Sequence, residues 1–175
     1  MIRTMLASAV LGLGITGAAQ SATYIVDSAA NSSGGGVGYA TGILLTAGQG
    51  FTVAANVEDT WSLGANDPGC TRESNADGLT VCFGDYGQGN LSALYGTLVG
   101  QIGVGGDFFV LGLSYIGNAA AAGELFLYNW DSNTVDNSGE IYADVNVASV
   151  PVPAAGLLLL GALGGLGALR RRKAV

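Results

Sequence analysis

The densest run of hard oxygen donors in the chain lies in E-L-F-L-Y-N-W-D-S-N-T-V-D-N-S-G-E-I-Y-A-D-V-N-V, residues 124–147. Two apolar runs flank a stretch that carries Asn129, Asp131, Asn133, Asp136 and Asn137. Carboxylates, amide oxygens and the free carbonyls of a bend are what a hard cation such as Ca²⁺ needs, roughly six to eight of them at about 2.3–2.6 Å. The spacing is not that of an EF-hand, and the terminal bidentate Glu is missing. The same composition suits a polar hairpin loop in which Asx side chains cap their own turn. The residues alone leave both readings open. Trp130 lies inside this stretch and Trp61 lies far upstream. Each could stack on a sugar ring if exposed, or fill the core at a strand end.

Other chemistry is largely excluded. The chain contains no histidine, so Ser-His-Asp and Cys-His catalysis, histidine zinc sites and histidine pH switches are ruled out. Glu58–Asp59, Glu73–Asp77 and Asp131–Asp136 are the candidate carboxylate pairs. Nothing in their spacing supplies the facing geometry of glycoside hydrolysis, and no enzyme activity is expected. All thirteen acidic residues fall between Asp27 and Asp144, where Arg72 is the only basic one, giving residues 23–149 a net charge of −12. Such a surface repels phosphate backbones, so nucleic acid is not an expected partner. It would tolerate salt and attract divalent cations.

The elements that must position these groups read as strands punctuated by Gly, Asn and Asp. Runs at 23–26, 39–46, 51–57, 79–83, 94–102, 107–113 and 124–130 precede a strict alternation at 140–147. There Ile141, Ala143, Val145 and Val147 face one way, and Tyr142, Asp144 and Asn146 the other. Seven or eight strands at this spacing predict an all-β, antiparallel β-sandwich. Cys70 and Cys82 are the only cysteines. In an exported chain they are expected to form a disulfide that pins the loop between them.

Both ends read as addresses, which divides the chain into 1–22, 23–149 and 150–175. Arg3, the apolar run 5–17 and the small residues Ala18, Ala19, Ser21 and Ala22 have the form of a signal peptide. Signal peptidase is expected to cut after Ser21 or Ala22. The other end runs Val150-Pro151-Val152-Pro153-Ala154, then an apolar stretch to Leu169, then Arg170, Arg171, Arg172 and Lys173. The apolar stretch is long enough for roughly 24 Å of helix at about 1.5 Å per residue. The basic cluster would stop its translocation. This tripartite tail resembles the PEP-CTERM class of bacterial sorting signals, in its VPLPA variant. The resemblance implies export, transient anchoring in the inner membrane through the C-terminal transmembrane helix, and processing by an exosortase. The expected destination is the cell surface or an extracellular, exopolysaccharide-containing matrix.

The order of features in the middle segment resembles a second family, the calcium-dependent galactose-binding lectins of the small soluble bacterial type, with a galactose-binding, jelly-roll-like sandwich. The resemblance rests on Thr46-Ala47-Gly48-Gln49-Gly50-Phe51-Thr52-Val53-Ala54, Trp61, Ala76-Asp77-Gly78-Leu79 with Cys82, Gly96 to Gly103, and Asp136-Asn137-Ser138-Gly139. It implies Ca²⁺ as cofactor, held by Asp131, Asp136, Asn137 and a carbonyl near Asn133, with a further carbonyl from the region Trp61 to Gly64. It also implies saccharide binding at Trp130, Asp131, Asp136 and Asn137. Trp130 before the Asp, a shorter loop and Asp136 in place of an Asn depart from the family pattern. The histidine of the galactose-specificity loop is absent. The combined expectation is an exported surface protein with calcium-dependent carbohydrate binding. The alternative is a structural matrix or surface protein without a ligand site.

Overall fold

The alternation read over 140–147 becomes the strand on which most of one sheet is assembled. The computed structural model describes residues 19–149 and 161–162. The expected signal segment up to Ala18 and the sorting motif at Val150 to Ala154 and Arg170 to Arg172 lie outside the described residues. Among the described residues no helix is long and apolar enough to cross a membrane.

The first strand, β1 (Gln20–Asp27), starts three residues before the expected run and includes Ser21 and Ala22. It pairs antiparallel along β12 (Asn137–Val147), from Gln20 opposite Val147 to Asp27 opposite Glu140. On β12, Ile141, Ala143 and Val145 are fully buried and the residues between them are exposed, as the period of two requires. β3 (Gly50–Ala55) pairs with the second half of β12. β4 (Trp61–Leu63) pairs with its first three residues. β5 (Glu73–Ser74) extends this side from β4, and β10 (Ser114–Asn118) extends the other from β3.

The second sheet has the order β2–β11–β8–β9, from Tyr39–Leu45, Gly123–Asn129, Leu98–Ile102 and Phe108–Val110. A separate hairpin joins β6 (Asp85–Gln88) to β7 (Leu91–Leu94). Every strand pair is antiparallel. Val26, Phe51, Val53, Ile141 and Val145 from the first sheet meet Ile43, Leu98, Leu125 and Leu127 from the second in one core. The expected sandwich is therefore the fold.

Two local expectations are corrected. Residues 79–83 form no strand, because this stretch crosses the disulfide loop and Cys82 takes a positive φ of 79°. The run 94–102 is two strands broken at Tyr95–Gly96, where the chain turns. Cys70 and Cys82 are bonded, with Cα atoms 5.4 Å apart.

Candidate functional site

Loop 130–136 joins β11 to β12, and its position is set by a serine-rich turn after β1. Asp27 caps that turn, its Oδ1 accepting from Ala29 N at 2.9 Å and Ala30 N at 2.7 Å. The turn brings Ser28, Ser32 and Ser33 against the loop. The Ser33 hydroxyl lies 3.1 Å from Asp131 O and accepts from Asp131 N at 3.2 Å. The Ser32 hydroxyl lies 2.9 Å from Asn133 O. On the other side, β4 pairs with the start of β12. Gly139, at φ 86°, stands opposite Trp61 with room for no side chain: a Cβ there would lie 3.0 Å from Thr60 O. This close approach explains the glycine of the Asn-Ser-Gly run.

These contacts bring Asp131, Asp136 and Asn137 to one corner. Asp131 is 5% exposed. Burial pushes its carboxyl pKa above the ordinary value. The Asn137 side-chain amide, donating to the carboxylate, pulls it back, as do the Ser132 and Asn133 N–H groups, while the nearby Asp136 charge pushes it up. Asn137 Nδ2 donates to Asn133 O at 2.9 Å and to Ser28 O at 3.3 Å. Its Oδ1 is buried with no hydrogen-bond partner. An orphaned acceptor and a buried carboxylate are each unfavourable alone. Together they suit a cation. Among the described residues no three His, Cys, Asp or Glu side chains converge on one point. The corner instead has two carboxylates and an amide oxygen, a donor set that fits a hard cation and not a thiophilic one.

The Asn133 side chain is used within the loop itself. Its Oδ1 accepts from Thr134 N at 2.8 Å and Val135 N at 3.1 Å, and its amide donates to Asp136 Oδ1 at 2.7 Å. Its main-chain carbonyl already receives Ser32 and Asn137. The short loop must close on itself, and Asn133 is the residue that closes it. Trp130 is corrected: it is fully buried, so its ring offers no face to a saccharide. It packs against Tyr86 and Phe108, and its indole donates to Tyr86 O at 2.9 Å. Trp61 is also buried, with its indole donating to Gly96 O at 2.9 Å.

A cleft of about 160 Å³ opens at this corner. Asp131, Ser132, Asn133 and Asp136 form one wall. Leu63, Arg72, Phe83 and Tyr95 form the other. Arg72, Phe83 and Tyr95 are functional candidates that the loop residues gave no hint of. Arg72 is the single basic residue of the segment and Phe83 follows Cys82, but only the pairing of β4 with both β5 and β12, and the packing of Phe83 against Arg72 and Tyr95, bring them here. Gly64, next to Leu63, also touches the corner. At φ 116° it has no side chain, and a Cβ there would meet Asp136 Oδ2 at 2.6 Å.

A solved structure described as "EclA N-terminal domain; PllA-like lectin" is similar to this chain, with a TM-score of 0.53. It is 23% identical, and the match covers 72% of this chain and 95% of that one. At this identity the likeness shows the fold, a lectin-like β-sandwich. No family model matches the chain, and no curated protein matches it either.

Proposed function

We propose that the domain is a calcium-dependent carbohydrate-binding module of an exported protein. The observation that carries this reading is the buried Asp131 carboxylate, which lines an open cleft with Asp136 and is neighboured by Asn137, whose buried Oδ1 has no partner. Asp131, Asp136 and Asn137 would hold the ion, and the main chain near Gly64, which approaches Asp136, would be a further source of oxygen. When bound, Ca²⁺ polarises vicinal hydroxyls and accepts them as ligands. The chain's own residues do the rest. The carboxylates of Asp131 and Asp136 accept hydroxyl protons, and Asn133 keeps the loop closed. Phe83 and Tyr95 supply apolar wall for the faces of a ring. Saccharide binding fits the lectin-like fold and the open, partly polar cleft. Export through the signal segment, tail processing by exosortase and residence at the surface or in an exopolysaccharide matrix follow from the two terminal motifs and belong to this proposal.

Thermal unfolding over a calcium titration tests the cation. A ligand that binds only the folded form raises stability by RT ln(1 + [L]/Kd). A rising melting temperature that saturates and reverses with chelator is expected. A flat response at millimolar Ca²⁺ would instead favour a structural matrix protein without a ligand site. A glycan array probed with and without chelator then tests the sugar, with signal expected only when calcium is present.

A further inference from the structure

The cleft contains a cation of its own. Arg72 is the one basic residue in segment 23–149, against thirteen acids, and it lines the same cleft as Asp131 and Asp136. Its main chain is fixed on both sides: Arg72 O accepts from Leu63 N at 2.9 Å, and Arg72 N donates to Asn66 Oδ1 at 2.6 Å. Its guanidinium carbon lies 5.3 Å from the centre of the Phe83 ring, and Nη2 pairs with Asp67. The remaining donors are unused. Nε is buried with no partner. Nη1 lies 3.2 Å, and Asp136 Oδ2 2.6 Å, from the point where a Gly64 side chain would begin. Yet no ion pair joins them: among the described residues the one ion pair is Arg72–Asp67. The gap beside Gly64 is thus flanked by a guanidinium with free donors and by the expected cation ligands.

We propose that Arg72 makes this cleft selective for an acidic saccharide, a uronic-acid unit whose carboxylate is held by the guanidinium while its hydroxyls reach the cation. The inference rests on the calcium-dependent reading above and adds the charge of the ligand. A divalent ion and a guanidinium sharing a half-buried cleft repel one another unless an anion lies between them. A carboxylate meets both needs, because it matches the donor fork of Arg and is a hard oxygen ligand for calcium. A neutral sugar offers the guanidinium only uncharged acceptors, which make weaker hydrogen bonds than a carboxylate. The rest of the acidic domain would repel a polyanionic glycan. With the divalent ion bound beside Arg72, the cleft is where that repulsion is offset.

The test measures affinities by calorimetry for the methyl glycosides of glucuronic, galacturonic and mannuronic acid. Each is compared with its neutral parent sugar and with its uronic methyl ester, on the full chain, with calcium and with chelator. The expected result is that at least one uronide binds about tenfold or more tighter than both of its uncharged counterparts. Arg72→Gln should reduce that ratio to within about twofold, with Arg72→Lys intermediate, while the calcium-dependent melting shift is kept or enlarged, because the guanidinium no longer repels the ion. Equal affinity for charged and neutral forms, a ratio unchanged in Arg72→Gln, or a calcium shift without any saccharide binding would each overturn the proposal. If Arg72→Gln does not fold, the ratio of uronide to ester in wild type decides alone. If calcium gives no shift, the cation reading fails, and the same ratio measured in chelator still decides the role of Arg72.

Discussion

The two walls of the cleft are built by different means. Loop 130–136 is held by a dense local network: Ser32 and Ser33 grip its carbonyls, Asn133 caps its turn, and Asn137 ties its end back to Asn133 and Ser28. The facing segment, from Gly64 to Gly84, has only the two-residue strand β5. Its outer part is held by the Cys70–Cys82 bond, the Arg72–Asp67 pair and the stacking of Arg72 on Phe83, and its inner part by the buried Ala76 and Leu79. The first wall fixes oxygen positions closely, as a metal site demands. The second is a stapled loop anchored in the core by Ala76 and Leu79, whose exposed side chains can differ without disturbing the sheets, as a wall that chooses among ligands needs.

The largest effect expected in breaking this division comes from a residue that supports both walls. Trp130→Ala would empty a fully buried site between Tyr86 and Phe108 and cost about 3–5 kcal/mol, read by urea unfolding. A loss of saccharide affinity in a variant that stays fully folded would instead mean that the ring touches ligand. Removing the disulfide with Cys70→Ser and Cys82→Ser should cost about 3 kcal/mol in thermal unfolding. It should leave the calcium-induced stabilisation intact; loss of that stabilisation would show that the walls are not independent. Asn133→Ala should cost about 1 kcal/mol through its turn and the Asp136 contact, yet keep calcium binding. Abolished binding would place Asn133 in the ligand set.

The smallest effect is a pH dependence. The folded-state pKa of Asp131 lies above its unfolded value, chiefly through burial. The ionised group therefore destabilises the calcium-free fold at neutral pH. That penalty fades as pH falls through the folded-state pKa towards the unfolded value. Wild type should thus gain stability relative to Asp131→Asn on acidification in chelator. In saturating calcium the sign should reverse, because protons then displace the ion. Paired melting curves across acidic pH would check both signs.

What could be read in the sequence follows from range. β12 and β11 were readable because their periodicity and aliphatic runs are local, and the disulfide because only two cysteines exist. The strands β4, β5 and β6 were not, since two to four residues carry no period. β10 was missed because its Ile116 points outward and Gly117 interrupts it. That Asp131, Asp136 and Asn137 share one corner could be anticipated because they are close in sequence. The burial of Trp130 and the arrival of Arg72 opposite them depend on Tyr86, Phe108 and the pairing of β4, none of which is near in the chain.

The central claim is that oxygen atoms of Asp131, Asp136 and Asn137 converge on one calcium ion. Calcium titration calorimetry on wild type and Asp131→Asn tests it most directly. One bound ion per chain in wild type, and none at the same concentrations in Asp131→Asn, is the predicted result. No binding heat in wild type, or an unchanged isotherm in the variant, would contradict it.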